Sequence, residues 1–268
     1  MVIVTMVIGT MVLNTRVVMY RYKYPRPSVA VDLVTFGYDA TQAEISVLLI
    51  KRKHDPFEGK WALPGGFVEV GTEDDFSGSK PSNYGESLED AARRELKEET
   101  GAEPEYIEQL GTFGDPNRDP RGRVISVAYL SLVRSKDLTV KASSDAAEAV
   151  WWPLKSALRQ KFAFDHNTIL NQAVTRLHSK VRYAPIGFNL LPQKFTLHEL
   201  QELYEALLLR QLDKSNFRRK VLSVGILAEA GQRVHGKQTV QLYRFDKRAY
   251  DKVSAAGFNF EPKFVKGK

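Results

Sequence analysis

Cysteine is absent from the 268 residues, which excludes disulfide staples, thiolate zinc sites and cysteine nucleophiles. Histidine is sparse: His54, His166, His178, His198 and His235 fall without metal-ligand spacing and read as surface or half-buried residues. One long apolar run, Met1 to Met19, lacks the basic leader and small-residue cleavage site of a signal peptide. Gly9, Asn14 and Arg16 also make it a poor membrane span. Its Val, Ile and Thr content suits an added strand, and a start at Met19 fits equally well. The expected location is the cytoplasm, with no membrane partner.

What is present is globular: aromatics at 10% and charged residues at 26% support a real core, and the length suggests two domains. Charge divides along the chain. Residues 1–150 carry 18 Lys+Arg against 23 Asp+Glu, a net −5, whereas residues 151–268 carry 21 against 9, a net +12. An acidic first half joined to a strongly basic second half points the second at a polyanion, with nucleic acid ahead of an anionic membrane surface.

Ser87 with Asp90 three residues on is a capping-box-like start and Gly101 a natural stop, so residues 88–100 read as one helix. At about 100° per residue, Glu95, Glu98 and Glu99 share one face, within the apolar half that holds Leu88, Ala91, Ala92 and Leu96. Asp90, Arg93 and Lys97 already form a solvent face on the opposite side. Like charges turned toward a core need a positive partner. A hard divalent cation such as Mg²⁺ meets that need with oxygen ligands, keeping positions for phosphates. The alternative is a solvated acidic helix.

The stretch Gly65 to Ala102 resembles the Nudix box. Glu86, Arg94, Glu95, Leu96, Glu98, Glu99, Gly101 and Ala102 match its spacing, and Gly66 matches once about fourteen residues after Gly71 are treated as inserted. The lead-in Trp61-Ala62-Leu63-Pro64-Gly65-Gly66 is also similar to the family. The resemblance implies a Mg²⁺ (or Mn²⁺) site that cleaves or binds a nucleoside diphosphate linked to another group. It implies Glu95, Glu98, Glu99 and the Gly66 carbonyl as ligands, Glu86 near the metals, and Arg94 holding the glutamates.

Around this core, residues 29–36 and 45–50 read as paired strands with Gly37-Tyr38-Asp39 as their turn. Lys51-Arg52-Lys53 is a basic edge, with Arg52 a candidate phosphate contact. Residues 72–85 have the composition of a surface loop. Strands follow at 107–113 and 124–133, separated by the loop Gly114 to Arg123. Arg118, Arg121 and Arg123 there suit a diphosphate, because guanidinium forks match phosphate oxygens. That loop resembles its counterpart in Nudix proteins acting on ADP-ribose, which makes ADP-ribose the expected ligand. Asp145 and Glu148 are weak candidates for a general base, and residues 165–180 read as an amphipathic helix.

Beyond a linker at 182–187, Thr196 opens a helix with a wide stripe of Leu and Tyr, and Asp213 caps a second over 214–224 that Gly225 stops. Two strands, 227–234 and 239–245, flank Gly236-Lys237. Helix, short turn, basic helix and basic-tipped hairpin describe a winged helix-turn-helix. Its expected DNA contacts are Lys214, Ser215, Arg218, Arg219, Lys220 and Lys237. The alternative is a small dimerisation module.

The stretch from Phe195 to Leu222 resembles the C-terminal domain of NrtR-type Nudix-related regulators of NAD metabolism. That resemblance implies a homodimer on a palindromic operator in double-stranded DNA, with ADP-ribose changing DNA affinity. The expected fold is an α/β (α+β) Nudix sandwich with a mixed sheet, followed by a winged helix. The expected division is an apolar extension at 1–23, a Nudix domain at 24–182 with its insertion at 72–85, and a winged-helix domain at 187–264. A stand-alone hydrolase whose C-terminal domain serves dimerisation is the alternative.

Overall fold

A computed structural model describes residues 4–8, 11–15, 24–71, 83–133, 146–235, 238–255 and 264–265. The apolar N-terminal run forms two antiparallel strands, β1 (Val4–Ile8) and β2 (Met11–Thr15). The main sheet begins with β3 (Ser28–Asp39) and β4 (Glu44–Arg52). Gly37-Tyr38-Asp39 is not their turn but the end of β3, with Gly37 opposite Ser46. The turn lies at residues 40–43, where Asp39 Oδ1 accepts from the Thr41 amide at 2.8 Å and Ala43 takes φ 50°. An Asx turn replaced the glycine turn expected from composition.

The sheet continues through β5 (Trp61–Ala62), β6 (Gly65–Phe67), β7 (Tyr106–Phe113), β8 (Val124–Val133) and β9 (Ala146–Pro153), with helix α1 (Leu88–Thr100) between β6 and β7. The order is β5-β4-β3-β8-β7, with β6 added to β3 and β9 to β4. Among the described strands, β3 and β8 are the one parallel pair. Alternation on β3 splits the core. Val31 and Leu33 pack with Leu48 and with Ala91, Ala92 and Leu96 of α1. Val34, Phe36 and Tyr38 face the other layer, which holds α2 (Leu154–Ala157) and α3 (His166–Lys180) through Leu154, Ile169, Ala173 and Leu177.

After a 3₁₀ turn at Ile186–Leu190 come α4 (Leu197–Leu208), α5 (Lys214–Val224), β10 (Leu227–His235), β11 (Gln238–Phe245) and α6 (Lys247–Ala255). Thr196 caps α4 with a complete capping box to Glu199, and Asp213 caps α5 through the Asn216 amide at 2.7 Å. Phe195 pairs with Tyr243, adding a third strand contact to the hairpin of β10 and β11. This is a winged helix. Its Leu203, Leu207 and Phe217 share one apolar cluster with Tyr38, Ile45 and Leu177 of the sheet layer. No helix among the described residues is long and apolar enough to cross a membrane.

Candidate functional site

Helix α1 delivers the acids as its spacing requires. Ser87 Oγ accepts from the Asp90 amide at 3.1 Å, and Gly101 closes the helix at φ 72°. Arg94 lies at the centre of the acids. It grips Glu86 with two bonds (2.7 and 3.0 Å), and its Nη1 donates to Glu95 at 2.9 Å and Glu98 at 3.0 Å. Its Nη2 reaches the Phe67 carbonyl at 3.2 Å. Glu86 is held below the usual carboxylate range mainly by the Arg94 bonds. Glu95 is pushed up, because burial outweighs the attraction of Arg94. The side chains of Glu86 and Glu95 are 15% and 13% exposed, whereas Glu98 is 59% exposed and opens the cluster to solvent.

The turn before β6 is built against these acids. Gly65 (φ 153°) donates its amide to Glu99 Oε2 at 2.8 Å, and a Cβ on it would lie 2.1 Å from the Val31 carbonyl oxygen. A Cβ on Gly66 would lie 2.3 Å from Glu95 Oε1. The Gly66 backbone therefore stands directly against the glutamate, and any side chain there would have to displace the Glu95 carboxylate. The insertion is closed at its base: the Glu86 amide donates to the Glu69 carbonyl at 3.2 Å, and the Glu69 amide to Glu86 Oε1 at 2.8 Å. Gly66 therefore meets α1 as though residues 72–85 were not there. Of that loop, only residues 83–85 belong to the described part.

Among the described residues no three His, Cys, Asp or Glu side chains already stand in metal-binding geometry. The physical reason is Arg94, whose guanidinium supplies the positive charge between Glu86, Glu95 and Glu98. The donor set still fits a hard cation: Glu95 Oε1 faces the Gly66 backbone, Glu99 Oε2 accepts from the Gly65 amide at 2.8 Å, and Glu98 shares Arg94 Nη1 with Glu95.

Beside the cradle lies a cleft of about 100 Å³ bordered by Gly65, Gly66, Phe67, Arg52, Arg118 and Arg121. Three of the four expected arginines meet there. Arg52 donates to the Pro56 carbonyl at 2.7 Å and lies 4.9 Å from the Phe164 ring; burial pulls its pKa down. Arg121 pairs with Asp119 at 2.7 Å and lies 5.1 Å from the Phe67 ring. Arg118 is enclosed: its guanidinium bonds Asp165 (2.8 and 3.0 Å) and Asp32 (3.0 Å), so it forms the wall of the cleft. Arg123 does not join them; it fastens its own loop through the Gly114 carbonyl at 2.6 Å. Glu148 pairs with Lys51 at 3.9 Å, and Asp145 lies outside the described residues.

Sequence reasoning missed Asp32, Phe164, Asp165 and His166. His166 is buried, neither a surface nor a half-buried residue; its Nδ1 accepts from the Leu63 amide at 2.9 Å, which leaves Nε2–H facing Asp32 Oδ1 at 3.3 Å. Burial raises the Asp32 carboxyl, but His166, Ser126 and Arg118 more than offset it and bring it to about 2. The one signal in the sequence was a lone aspartate inside an otherwise apolar strand, Val31-Asp32-Leu33.

In the winged helix, α5 buries Phe217 and Val221 and leaves Lys214, Ser215 and Arg219 exposed, with Arg218 and Lys220 partly so. The wing is tied back by Arg233 to Glu199 at 2.7 Å. Lys237 lies outside the described residues.

Two protein families match the chain: the NUDIX domain over residues 26–173 and the NrtR DNA-binding winged helix domain over residues 187–245. An ADPR responsive transcriptional repressor, NtrR, of Acinetobacter baylyi is 38% identical over 238 residues, which is 88% of this chain and 87% of that one. An ADP-ribose pyrophosphatase of Methanocaldococcus jannaschii is 42% identical over 147 residues, 55% of this chain and 73% of that protein. The crystal structure of Shewanella oneidensis NrtR complexed with a 27mer DNA superposes with a TM-score of 0.66 at 33% identity, covering 89% of this chain and 99% of that one.

Proposed function

The chain belongs to the Nudix family, its NUDIX domain joined to an NrtR-type winged helix, and from that membership we propose a DNA-binding regulator of NAD metabolism that binds and hydrolyses ADP-ribose. The observation that carries the reading is the Gly66 backbone, set directly against the Glu95 carboxylate at the edge of a cleft faced by Arg52 and Arg121.

In that cleft Arg52 and Arg121 hold the diphosphate, and Arg118 keeps the wall in place through Asp32 and Asp165. Glu95, Glu98, Glu99 and the Gly66 carbonyl would hold the divalent cation, Mg²⁺ or Mn²⁺. Bound there, the cation neutralises charge on the phosphoryl oxygens and lowers the pKa of water. Hydrolysis joins a water oxygen to one phosphorus and breaks the bridging P–O bond, giving AMP and ribose 5-phosphate. Arg94 restrains Glu86 and Glu95, while Glu98 turns from it to the cation. At α5 the exposed cations supply phosphate contacts in the major groove, and a homodimer would present two such helices to a palindromic operator in double-stranded DNA.

The test combines two measurements on the intact chain. With ADP-ribose and Mg²⁺, Glu98→Gln is expected to lower kcat about a hundredfold; equal turnover in both proteins removes the site assignment. Binding to DNA from upstream of the chain's own gene is expected to change with ADP-ribose. Equal affinity for random DNA, indifferent to ligand, leaves the alternative of a hydrolase whose C-terminal domain serves dimerisation.

A further inference from the structure

Helix α5 buries two residues, Phe217 and Val221, and both stand near or past the end of its first turn. Lys214 and Ser215, at its N-terminal end, are exposed. The N-terminal residues of a recognition helix are the ones that contact base edges, so the tilt of this end decides which edges they meet. What aims it is the turn that precedes it, residues 209–213.

Leu209 opens that turn with a left-handed backbone, φ 53°, without the freedom of glycine. Such an angle persists where its surroundings over-determine it. Leu212, the residue before the Asp213 cap, is fastened from two sides. Its amide donates to Glu205 Oε1 at 2.9 Å, while Gln201 Nε2 donates to the same oxygen at 2.9 Å and to the Leu212 carbonyl at 3.4 Å. Those bonds tie the turn to α4. The second tie comes from the far end of the chain. Phe264 forms an antiparallel bridge with Leu212, and the Val265 amide donates to the Gln211 carbonyl at 3.1 Å. Arg210 Cζ lies 3.9 Å from the centre of the Phe264 ring, and that ring packs on the apolar cluster that holds Phe217. Arg210, Gln211 and Leu212 thus each contact the C-terminal residues in turn. Phe264 stands well beyond residue 245, where the matched winged helix ends.

We propose that Phe264 is a positioning residue for DNA recognition: it closes the α4–α5 turn from outside and fixes the angle at which α5 presents Lys214 and Ser215 to the bases. The inference rests on the DNA-binding function proposed above. A loosened turn leaves the cations of α5 on the surface, so attraction to phosphates survives while discrimination among sequences falls. That split separates aiming from charge, including the charge of the neighbouring Lys263, Lys266 and Lys268.

The test titrates the full chain, over a range of salt, with a duplex from upstream of its own gene and with a random duplex of equal length. Phe264→Ala is expected to reduce the preference for the upstream duplex about tenfold, with affinity for the random duplex within about twofold and the salt slope unchanged. Phe264→Tyr, which keeps the ring and the backbone bonds, is expected to behave as the wild type does. Val265→Pro removes the amide donated to Gln211 and leaves every charge in place, and is expected to reduce the preference about threefold. Should Phe264→Ala fail to fold, Val265→Pro decides. Variants that keep the full preference overturn the inference alone, even where Tm falls. So does an equal loss on both duplexes with a shallower salt slope, which would make the C-terminal residues phosphate contacts. A wild type with no preference between the duplexes overturns this inference and the DNA-binding function together.

Discussion

At the scale of single residues the deciding feature is which charge neutralises which. Arg94 neutralises Glu95 and Glu98, two of the carboxylates proposed to hold the cation, and so holds the cluster together. Lysine would not substitute, because a point charge does not make five bonds in one plane. The glutamates could be read from helical spacing alone. The Asp32–Arg118–Asp165 network could not, since its members are 86 and 47 positions apart and meet only after the sheet forms. A prediction follows from its electrostatics. The Asp32 carboxyl falls from an ordinary 3.8 to about 2 in the folded chain. A depressed acid stabilises the fold above its unfolded value and loses that contribution as pH drops through its folded value. Urea unfolding should therefore show about 2 kcal/mol lost between pH 4 and pH 2 from this residue. Asp32→Asn should be less stable at pH 7, with a shallower slope in that window. An equally steep acid limb in the variant would refute the network's role.

At the scale of elements, capping residues decided what was legible. Ser87 and Gly101 bound α1, Thr196 opens α4, and Asp213 and Gly225 bound α5, all as local chemistry demands. The β3–β4 turn was misread because Gly37 looked like a breaker, whereas a long central strand paired on both sides absorbs a glycine. Helix α6 went unseen because only Tyr250 and Val253 from it pack on the core, too few for a periodic signal. For α5, the division of labour between buried Phe217 and Val221 and exposed Arg219 makes a sharp expectation. Arg219→Ala should weaken binding to specific and random DNA alike and reduce the salt slope of log K by about 1, leaving ADP-ribose affinity unchanged. A variant that lost affinity for one DNA sequence only would mark Arg219 as a base reader.

For the molecule as a whole, the acidic and basic halves are joined by packing rather than by a bare linker. Tyr38 and Ile45 at the end of the sheet share an apolar cluster with Leu203, Leu207 and Leu208 of α4, and Leu177 of α3 and Val181 just after it continue it. Gly187 is held so tightly in this region that a Cβ would come within 3.0 Å of Leu207 Cδ1. The charge asymmetry was visible in the sequence, but this shared core was not, because a change of composition at residues 182–187 looks the same whether the flanking units touch or hang free. Elements that share a core unfold together. The full chain should therefore melt in one calorimetric transition, and ADP-ribose at a hundredfold excess over Kd should raise that whole transition by about 5–10 °C. Two separated transitions, with ligand moving only one, would mean that the winged helix folds on its own. Contacts across α3 and α4 would then be too weak to carry ligand binding at the Gly66 cradle to the DNA-facing helix.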